Sequence, residues 1–377
     1  MKIMIASDSY KGSLSSLEVA KYIKKGVLEV YPECQFDIVA MADGGEGTVE
    51  ALVDTLNGVY QDVECFNPLN EKIIAHYGIF NNNNAIIEMA SASGLPLVKE
   101  KKIMEANTFG TGQLILDALD KGCRTIYLGI GGSATNDGGI GMAQALGIRF
   151  LDKENKELTP IARNLPFIKA IDYSHLDSRI KDTQIIVMCD VTNPLCGPNG
   201  ASAIYGPQKG ANEEEITYLD QGLQNLAHVC QKEGYKNCQN IKGAGAAGGL
   251  GFGLMTFLNA RLKSGIDTVL EVVHFEKRIQ DCSLVITGEG RIDNQSIYGK
   301  VPTGVSLAAK KYQIPTIAIV GCIGQNVEKV YDYIETIESC IDHPCSLDEA
   351  LKNAADNVYH ASFRVMKAIQ LGTKIHF

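Results

Sequence analysis

The chain has 377 residues, a formal net charge of −9 and 45% hydrophobic residues, and these values exclude several classes of protein. This share of apolar residues is enough for a full core and excludes a disordered chain. Without a broad basic field, neither nucleic acid nor an anionic membrane surface is an expected partner. The length exceeds one ordinary domain of roughly 100 to 200 residues, so the sequence predicts two domains.

The cysteines and the amino terminus predict a cytoplasmic protein. The eleven cysteines are odd in number and show no C-x-x-C spacing, so we expect reduced thiols rather than a disulfide framework. The apolar run near the amino terminus stops at a Ser-Asp-Ser stretch and is too short for a signal peptide. No apolar run approaches the length of a membrane span.

Short apolar runs alternate with helix-period segments, which is typical of α/β layers with mostly parallel sheets. We predict a strand at residues 2–6 and a helix that begins at a capping box formed by Ser15 and Glu18. A strand at 36–41 and a helix at 48–56 follow. Both strands lead into polar, glycine-bearing loops, SDSYKGS and ADGGEG.

The pattern changes at residues 59–89, where extended runs broken by asparagine-rich turns indicate hairpins. A helix at 111–119, a strand at 125–128 and a helix at 142–146 come next. A strand at 185–189 precedes a turn-rich stretch that is too long for an ordinary connection, and such long loops are often functional.

The last part of the chain resembles the first. Strands at 284–286 and 315–320 flank a helix, as in a βαβ unit. We therefore predict a discontinuous first domain formed by residues 1–58 and 281–377, and a second α/β domain formed by residues 59–280. The active site is expected in the cleft between them.

The segment GIGGSATNDGGIG, residues 129–141, follows a strand and admits three interpretations. Gly129, Gly131 and Ala134 match the G-x-G-x-x-A fingerprint of dinucleotide-binding turns, with Asp152 about twenty residues further on. Glycine amides and a following helix N-terminus also suit a phosphate or a carboxylate. The third interpretation is a tight turn in which Asn and Asp act as caps.

A second glycine-rich stretch, GAGAAGGLGFG at residues 243–253, either binds an anion or lets a helix pack closely on its neighbour. No G-x-x-x-x-G-K-[ST] sequence occurs, which excludes a P-loop NTPase. Phosphoryl transfer would then need another arrangement of cations, Mg²⁺ and a group that accepts the proton of the acceptor hydroxyl.

Charged residues in the strand-end loops are candidates for that chemistry. Lys11 and Lys300 could place point charges on phosphates, and the planar fork of Arg291 suits a carboxylate or phosphate. Asp190 directly follows the apolar strand IIVMC and is expected to be partly desolvated, as a base or metal ligand should be. The histidines show no metal-ligand spacing, which disfavours zinc sites and Ser-His-Asp triads. The other acids of these loops are Asp8, Asp43, Glu46, Asp137, Glu289 and Asp293.

A set of collinear stretches resembles the bacterial glycerate kinase family of type 1 over nearly the whole chain. They are DSYKGSLS, MADGGEGT, GIGGSATNDGG, CDVTNPLCGPNGAS, GPQKGA, GAGAAGGLG, LKSGIDTVLE, TGEGRIDNQS and GKVPTGV. The resemblance implies ATP-dependent phosphorylation of glycerate, commonly at the 2-hydroxyl to give 2-phosphoglycerate. It also implies one flavodoxin-like, doubly wound parallel domain and one related to restriction-enzyme folds. Ser7 and Ala40 stand where proline is expected in the family, and Ser296 where threonine is common.

We therefore predict a MgATP:glycerate phosphotransferase with the following residue roles. Catalysis is assigned to Asp190, Lys11 and Arg291. Glycerate binding is assigned to Arg291, Ser133, Asn136, Asp137 and Asp8. ATP binding is assigned to Lys11, Ser13, Gly44, Gly45, Gly131, Gly132, Gly288 and Lys300. Magnesium binding is assigned to Asp190, Glu289 and Asp293.

Three alternatives stay open. The first is a glycerate 3-kinase of the same family. The second is an NAD-dependent dehydrogenase, which rests on the fingerprint match at residues 129–134. The third is a sugar-acid-binding protein without catalysis. The sequence leaves the enantiomer of glycerate and the oligomeric state open.

Overall fold

The structure, a computed structural model, describes residues 1–375, which form the following strands and α-helices. The strands are β1 (Lys2–Ser7), β2 (Gln35–Ile38), β3 (Val59–Phe66), β4 (Lys72–Phe80), β5 (Asn84–Glu88), β6 (Thr125–Gly129), β7 (Arg149–Leu151), β8 (Ala170–Asp172), β9 (Gln184–Met188), β10 (Arg261–Lys263), β11 (Leu284–Gly288), β12 (Arg291–Ile292), β13 (Thr316–Val320), β14 (Cys322–Ile323) and β15 (Thr336–Ser339). The helices are α1 (Ser16–Leu28), α2 (Thr48–Leu56), α3 (Ala90–Ser93), α4 (Phe109–Asp120), α5 (Ile140–Ala145), α6 (Ala201–Tyr205), α7 (Glu213–Lys232), α8 (Ala246–Phe257), α9 (Gly265–Val272), α10 (Phe275–Ile279), α11 (Val301–Lys310), α12 (Leu347–Lys352) and α13 (Ala354–Gly372).

Unit 1 is the first of two compact units and contains Met1–Asp43, Glu50–Leu56 and the described chain from Ser264 onward. Its five-stranded sheet is parallel, with the order β2-β1-β11-β13-β15. This is the 2-1-3-4-5 order of flavodoxin-like sheets, which bind ligands where the strand order reverses, beyond the carboxyl ends of the strands. In unit 1 that switch point lies between β1 and β11.

Helices α1 and α13 cover the core of unit 1. The predicted capping box at the start of α1 is confirmed, because the Ser15 hydroxyl accepts the Glu18 N–H and the Glu18 carboxylate accepts the Ser15 N–H. Ile23 of α1 and Val358 of α13 are fully buried in the same cluster as the strand residues. Removing this apolar surface from water is the main force that holds the helices on the sheet.

Unit 2 contains Gly44–Val49 and Asn57–Lys263 and is built on a six-stranded mixed sheet of order β10-β9-β6-β5-β4-β3. The first four strands of that order are parallel, whereas β4 and β3 pair antiparallel as hairpins. The hairpins predicted at residues 59–89 are therefore confirmed. The relation of this domain to restriction-enzyme folds stays a prediction.

The boundaries of the units differ from the predicted ones at 58/59 and 280/281. Residues 264–280 belong to unit 1, because Ile266 of α9 lies against Gly304 of α11. Residues 44–49 belong to unit 2. The apolar pattern of residues 264–280 predicts buried helices, but a local pattern does not show which core those helices join.

All eleven cysteines are free, as the sequence predicts. Within residues 1–375, no helix has the length and apolar character needed to cross a bilayer.

Candidate active site

A cavity of about 470 Å³ in unit 1 lies where the sheet order reverses. Its polar wall comes from the loops that follow three neighbouring strands, β1, β11 and β13. The polar and backbone lining consists of Asp8, Ser9, Tyr10, Lys11, Ser13, Glu289, Gly290, Arg291, Asp293, Gln295, Ser296, Lys300, Gly321 and Cys322. We call this cavity the switch-point cavity.

Close backbone contacts hold these loops together beyond the sheet. The Asp8 N–H donates to the carbonyl of Gly288 (2.9 Å), and the Gly321 N–H donates to the carbonyl of Glu289 (3.1 Å). At Gly288 a Cβ atom would lie 2.0 Å from the carbonyl oxygen of Ile319, so only glycine fits. The predicted ATP-binding role of Gly288 thus stays a prediction beside a clear packing role.

Two acids of the switch-point cavity have pKa values that are raised to about neutral pH. Burial raises the pKa of Asp8 to about 7, and the negative charge of Asp43 adds to the rise. Burial also raises the pKa of Glu289 to about 7, although the Ser296 hydroxyl donates to its Oε1 at 2.6 Å. A nearby cation would stabilise the ionised form of these two carboxyl groups, and without one they tend to bind a proton.

Lys300 pairs with Asp43, the acid whose negative charge adds to the raised pKa of Asp8. It lies at the N-cap position of α11, and its Nζ is 2.7 Å from Oδ2 of Asp43. Burial lowers the pKa of Lys300, but the charge and hydrogen bond of Asp43 outweigh it, so the pKa lies above its usual value. Lys300 is therefore a fixed positive charge on the cavity wall. From the sequence, Asp43 is a loop acid without a predicted role.

Lys11 and Arg291 supply two further positive charges. Lys11 is exposed and lines the cavity. The Arg291 side chain is 62% exposed, and its Nε lies 3.4 Å from Oδ2 of Asp293, which is a loose contact that leaves the guanidinium accessible.

The two remaining predicted residues of unit 1 shape their own loops. Asp293 accepts the N–H of Gln295 (2.9 Å), and the Ser13 hydroxyl donates to the carbonyl of Tyr10 (3.0 Å). Both line the switch-point cavity.

The predicted magnesium ligands come from both units. Asp190 belongs to unit 2, whereas Glu289 and Asp293 belong to unit 1. In the part of the chain that the structure describes, no three His, Cys, Asp or Glu side chains converge on one metal position. The assignment of Asp190, Glu289 and Asp293 to magnesium stays a prediction.

Asp190 also differs from its prediction in exposure. It follows β9 as expected, but it is solvent-exposed rather than partly desolvated. The strand is buried up to Met188, and the chain emerges from the core before it reaches Asp190.

In unit 2, Asp137 of the loop 129–141 is fully buried and acts as a cap. Its Oδ2 accepts the N–H and hydroxyl of Thr108 (both 2.8 Å) and the N–H of Gly141 (3.1 Å), and its Oδ1 accepts the N–H of Gly139 (3.1 Å). Burial raises the pKa of Asp137, while these hydrogen bonds act to lower it. The cap interpretation is confirmed for this residue, because its carboxylate accepts hydrogen bonds from the protein and does not face solvent.

The other predicted glycerate ligands of this loop also point inward. The buried Lys209 donates from Nζ to the Ser133 hydroxyl and to the carbonyl of Thr135 (both 2.7 Å). The Asn136 amide donates to the Ser202 hydroxyl at 3.0 Å. Burial lowers the pKa of Lys209 to about 7.

Lys209 lies in the motif GPQKGA and has no role predicted from the sequence. A lysine in a long turn-rich loop was the available signal. We call Lys209, Ser133, Thr135, Asn136 and Asp137 the buried loop cluster.

The loop exposes glycines to solvent at Gly131 and Gly132. Beside it lies the other predicted phosphate loop, because a Cβ atom at Gly129 would be 2.4 Å from the carbonyl oxygen of Gly44, and one at Gly131 would be 3.5 Å from Cα of Gly45. The structure thus brings these two glycine loops together within unit 2.

The glycine-rich stretch 243–253 has a packing role. A Cβ atom at Gly248 would lie 2.0 Å from the carbonyl oxygen of Thr135, and one at Gly253 would lie 2.6 Å from that of Gly138. Of the two interpretations, close packing of a helix on its neighbour is the one that the structure shows.

Lysines and an arginine beside buried and partly buried acids, at the switch point of a flavodoxin-like sheet, are typical of an α/β enzyme that binds a phosphorylated small molecule. Comparison with known proteins narrows this class. A model described as the Glycerate kinase family matches residues 3–370.

Individual relatives agree over nearly their full lengths. The chain is 48% identical to glycerate 2-kinase of Escherichia coli K12, with 99% of each chain covered, and 46% identical to glycerate kinase of Bacillus subtilis 168, with 98% of each covered. A crystal structure from Salmonella typhimurium LT2, described provisionally as glycerate kinase 2, superposes with a TM-score of 0.92 at 44% identity, and the match covers 100% of both chains. The chain belongs to the glycerate kinase family and is a kinase.

Proposed function

We propose that the protein transfers the γ-phosphoryl group of ATP to the 2-hydroxyl of D-glycerate, giving 2-phosphoglycerate and ADP. The names of its relatives, glycerate 2-kinase and glycerate kinase, support the substrate. The observation that carries the proposal is the set of charges in the switch-point cavity, where Lys11, Lys300 and Arg291 line the same cavity as the acids Asp8 and Glu289.

The acids of the switch-point cavity fit a magnesium ion that arrives with the nucleotide. Magnesium in kinases is held by one or two carboxylates together with substrate phosphates, so a site of three protein ligands is not required. Asp8 and Glu289 are the residues that would hold it, because burial and, for Asp8, the charge of Asp43 make their ionised forms unfavourable without a cation. Bound Mg²⁺ would neutralise negative charge on the phosphates.

The cations have separate roles in this proposal. Lys300, fixed by Asp43, holds a phosphate of ATP as a point charge, and Lys11 on the neighbouring loop does the same. The accessible fork of Arg291 binds the carboxylate of glycerate through two parallel hydrogen bonds.

In the reaction, the glycerate hydroxyl oxygen forms a bond to the γ-phosphorus, and the bond between that phosphorus and the β–γ bridging oxygen breaks. The hydroxyl proton passes to a base, and the electron pair of the broken bond leaves with ADP. Asp190 stays the predicted base, and the location of the active site in a cleft between domains likewise stays a prediction.

An assay of ADP release with D-glycerate, followed by phosphorus NMR of the product, tests the proposed reaction. We expect turnover that depends on both ATP and Mg²⁺ and a product resonance of 2-phosphoglycerate. A 3-phosphoglycerate product would overturn the position of transfer and favour the 3-kinase alternative. Folded protein that shows no turnover would overturn the reaction itself.

The two ends of α11 offer a matched pair of variants for the role of Lys300. Lys300 precedes the helix and pairs with Asp43, whereas Lys311 follows it and pairs with Glu276 at an exposed position. Lys300→Met should lower kcat/KM for ATP by about 100-fold or more, as loss of one preorganised electrostatic contact does in other enzymes. Lys311→Met should change it by less than about twofold, since exposed ion pairs contribute little. Equal effects of the two substitutions would exclude the assigned role.

A further inference from the structure

The switch-point cavity has a second wall that the proposed phosphate chemistry does not use. This wall consists of Ile341 and the side chains of Leu347, Ala350, Leu351 and Ala354. The last four residues follow the spacing i, i+3, i+4, i+7, which places them along one face of the helical segment formed by α12 and the start of α13. We call these five residues the apolar wall.

The apolar surface of these five residues faces the cavity rather than a protein core. Leu347 is 72% exposed although it is a large apolar residue. The two alanines project only a methyl group each, so the helix face between the leucines is shallow. A shallow apolar face beside a charged one suits a ligand with a flat apolar end and a polyanionic end.

We propose that the apolar wall binds the purine base of the nucleotide, with the phosphates directed to the lysines of the polar wall. This inference rests on the proposed function for the identity of the two substrates. Of these, glycerate carries no apolar surface beyond its three carbons, whereas ATP combines an aromatic base with a triphosphate. Asn357, one helical turn beyond Ala354, lines the same cavity and places an amide where the polar edge of a base can be recognised.

The test compares ATP with inorganic tripolyphosphate, which has the charges of the nucleotide but no base. Binding of each to the full-length protein is measured by calorimetry with Mg²⁺ and without glycerate, for wild type, Ala350→Phe and Leu347→Asp. We expect both variants to bind ATP about tenfold or more weakly, as changes in an apolar pocket do, with tripolyphosphate binding unchanged within about twofold. Leu371→Asp, at another exposed leucine of unit 1 on α13, is the control and should leave both unchanged.

The outcomes separate this inference from the proposed function. Unchanged ATP affinity in both variants, equal weakening of ATP and tripolyphosphate, or no ATP binding to wild type would overturn it. Leu347→Asp is included because it should fold even if Ala350→Phe does not, since a residue exposed to this extent tolerates a charge. A wild type that binds ATP but does not phosphorylate glycerate would overturn the proposed function alone, since the binding comparison can still be made.

Discussion

Lys209 of the buried loop cluster should make the free energy of unfolding depend on pH. Its ammonium group is buried with two hydrogen bonds, and burial lowers its pKa to about 7, whereas an unfolded lysine has a pKa of about 10.4. Between these two values the unfolded chain binds a proton that the folded chain has released. The free energy of unfolding should therefore rise with pH across this interval.

The size of the effect follows from the linkage relation. One proton bound only by the unfolded state changes the free energy of unfolding by about 1.4 kcal/mol per pH unit. Because the folded lysine is half-protonated near pH 7, the gain between pH 7 and pH 9 is about 2 kcal/mol. Lys209→Met keeps a similar apolar stem but does not titrate, so the variant should lack this gain.

Urea unfolding followed by circular dichroism, for wild type and Lys209→Met at several pH values in this interval, measures the difference directly. Other titrating groups contribute equally to both proteins and cancel. Lys232→Met on the exposed end of α7 is the control for the removal of a lysine from the surface. If the difference between wild type and Lys209→Met stays constant from pH 7 to pH 9, the lowered pKa of Lys209 is refuted.

Three further substitutions test other parts of the structure. Asp137→Asn replaces one acceptor oxygen by a donor among buried N–H groups and should cost about 3 kcal/mol or more in urea unfolding, whereas Asp152→Asn, in a surface turn, should cost less than about 1 kcal/mol. Gly288→Ala puts a Cβ atom 2.0 Å from a carbonyl oxygen and should cost about 1–3 kcal/mol, while at Gly290 the nearest atom is 3.6 Å away and alanine should be nearly neutral in the same measurement. Arg291→Ala should lower kcat/KM for glycerate by about tenfold or more with little change in KM for ATP, and an unchanged value for glycerate would remove Arg291 from the substrate site.

The elements of unit 1 and the polar wall of its cavity were predictable from the sequence for one physical reason. Buried parallel strands are short apolar runs, and the polar residues that follow each run must lie at the same sheet edge. Asp8 after β1 and Glu289 after β11 meet in one cavity with Lys11 and Lys300 on this principle. The flavodoxin-like strand order came from the family resemblance, because periodicity identifies strands but not their neighbours.

Side-chain direction within a loop was not predictable in the same way. Ser133, Asn136 and Asp137 have the composition of a ligand-binding loop, but their partners are Lys209, Ser202 and the backbone at the start of α4 and α5. Apart from the backbone at the start of α5, those partners lie far away in the sequence. A local pattern therefore shows the donors and acceptors of a loop without showing what they bond. The exposure of Asp190 was missed because the pattern does not show where the strand leaves the core.

The inward direction of these side chains changes how the loop 129–141 can act on a ligand. A buried polar group is stabilising only while it is hydrogen-bonded. If a ligand bonded to Ser133 or Asp137 in place of their present partners, a protein donor would lose its acceptor at a cost of about 1–3 kcal/mol. Exposed Gly131 and Gly132 carry no such cost, because glycine presents its backbone N–H group to an anion without a side chain in the way. Substitutions in the buried loop cluster should therefore affect folding first, and we expect this loop to contact a ligand mainly through its two exposed glycines.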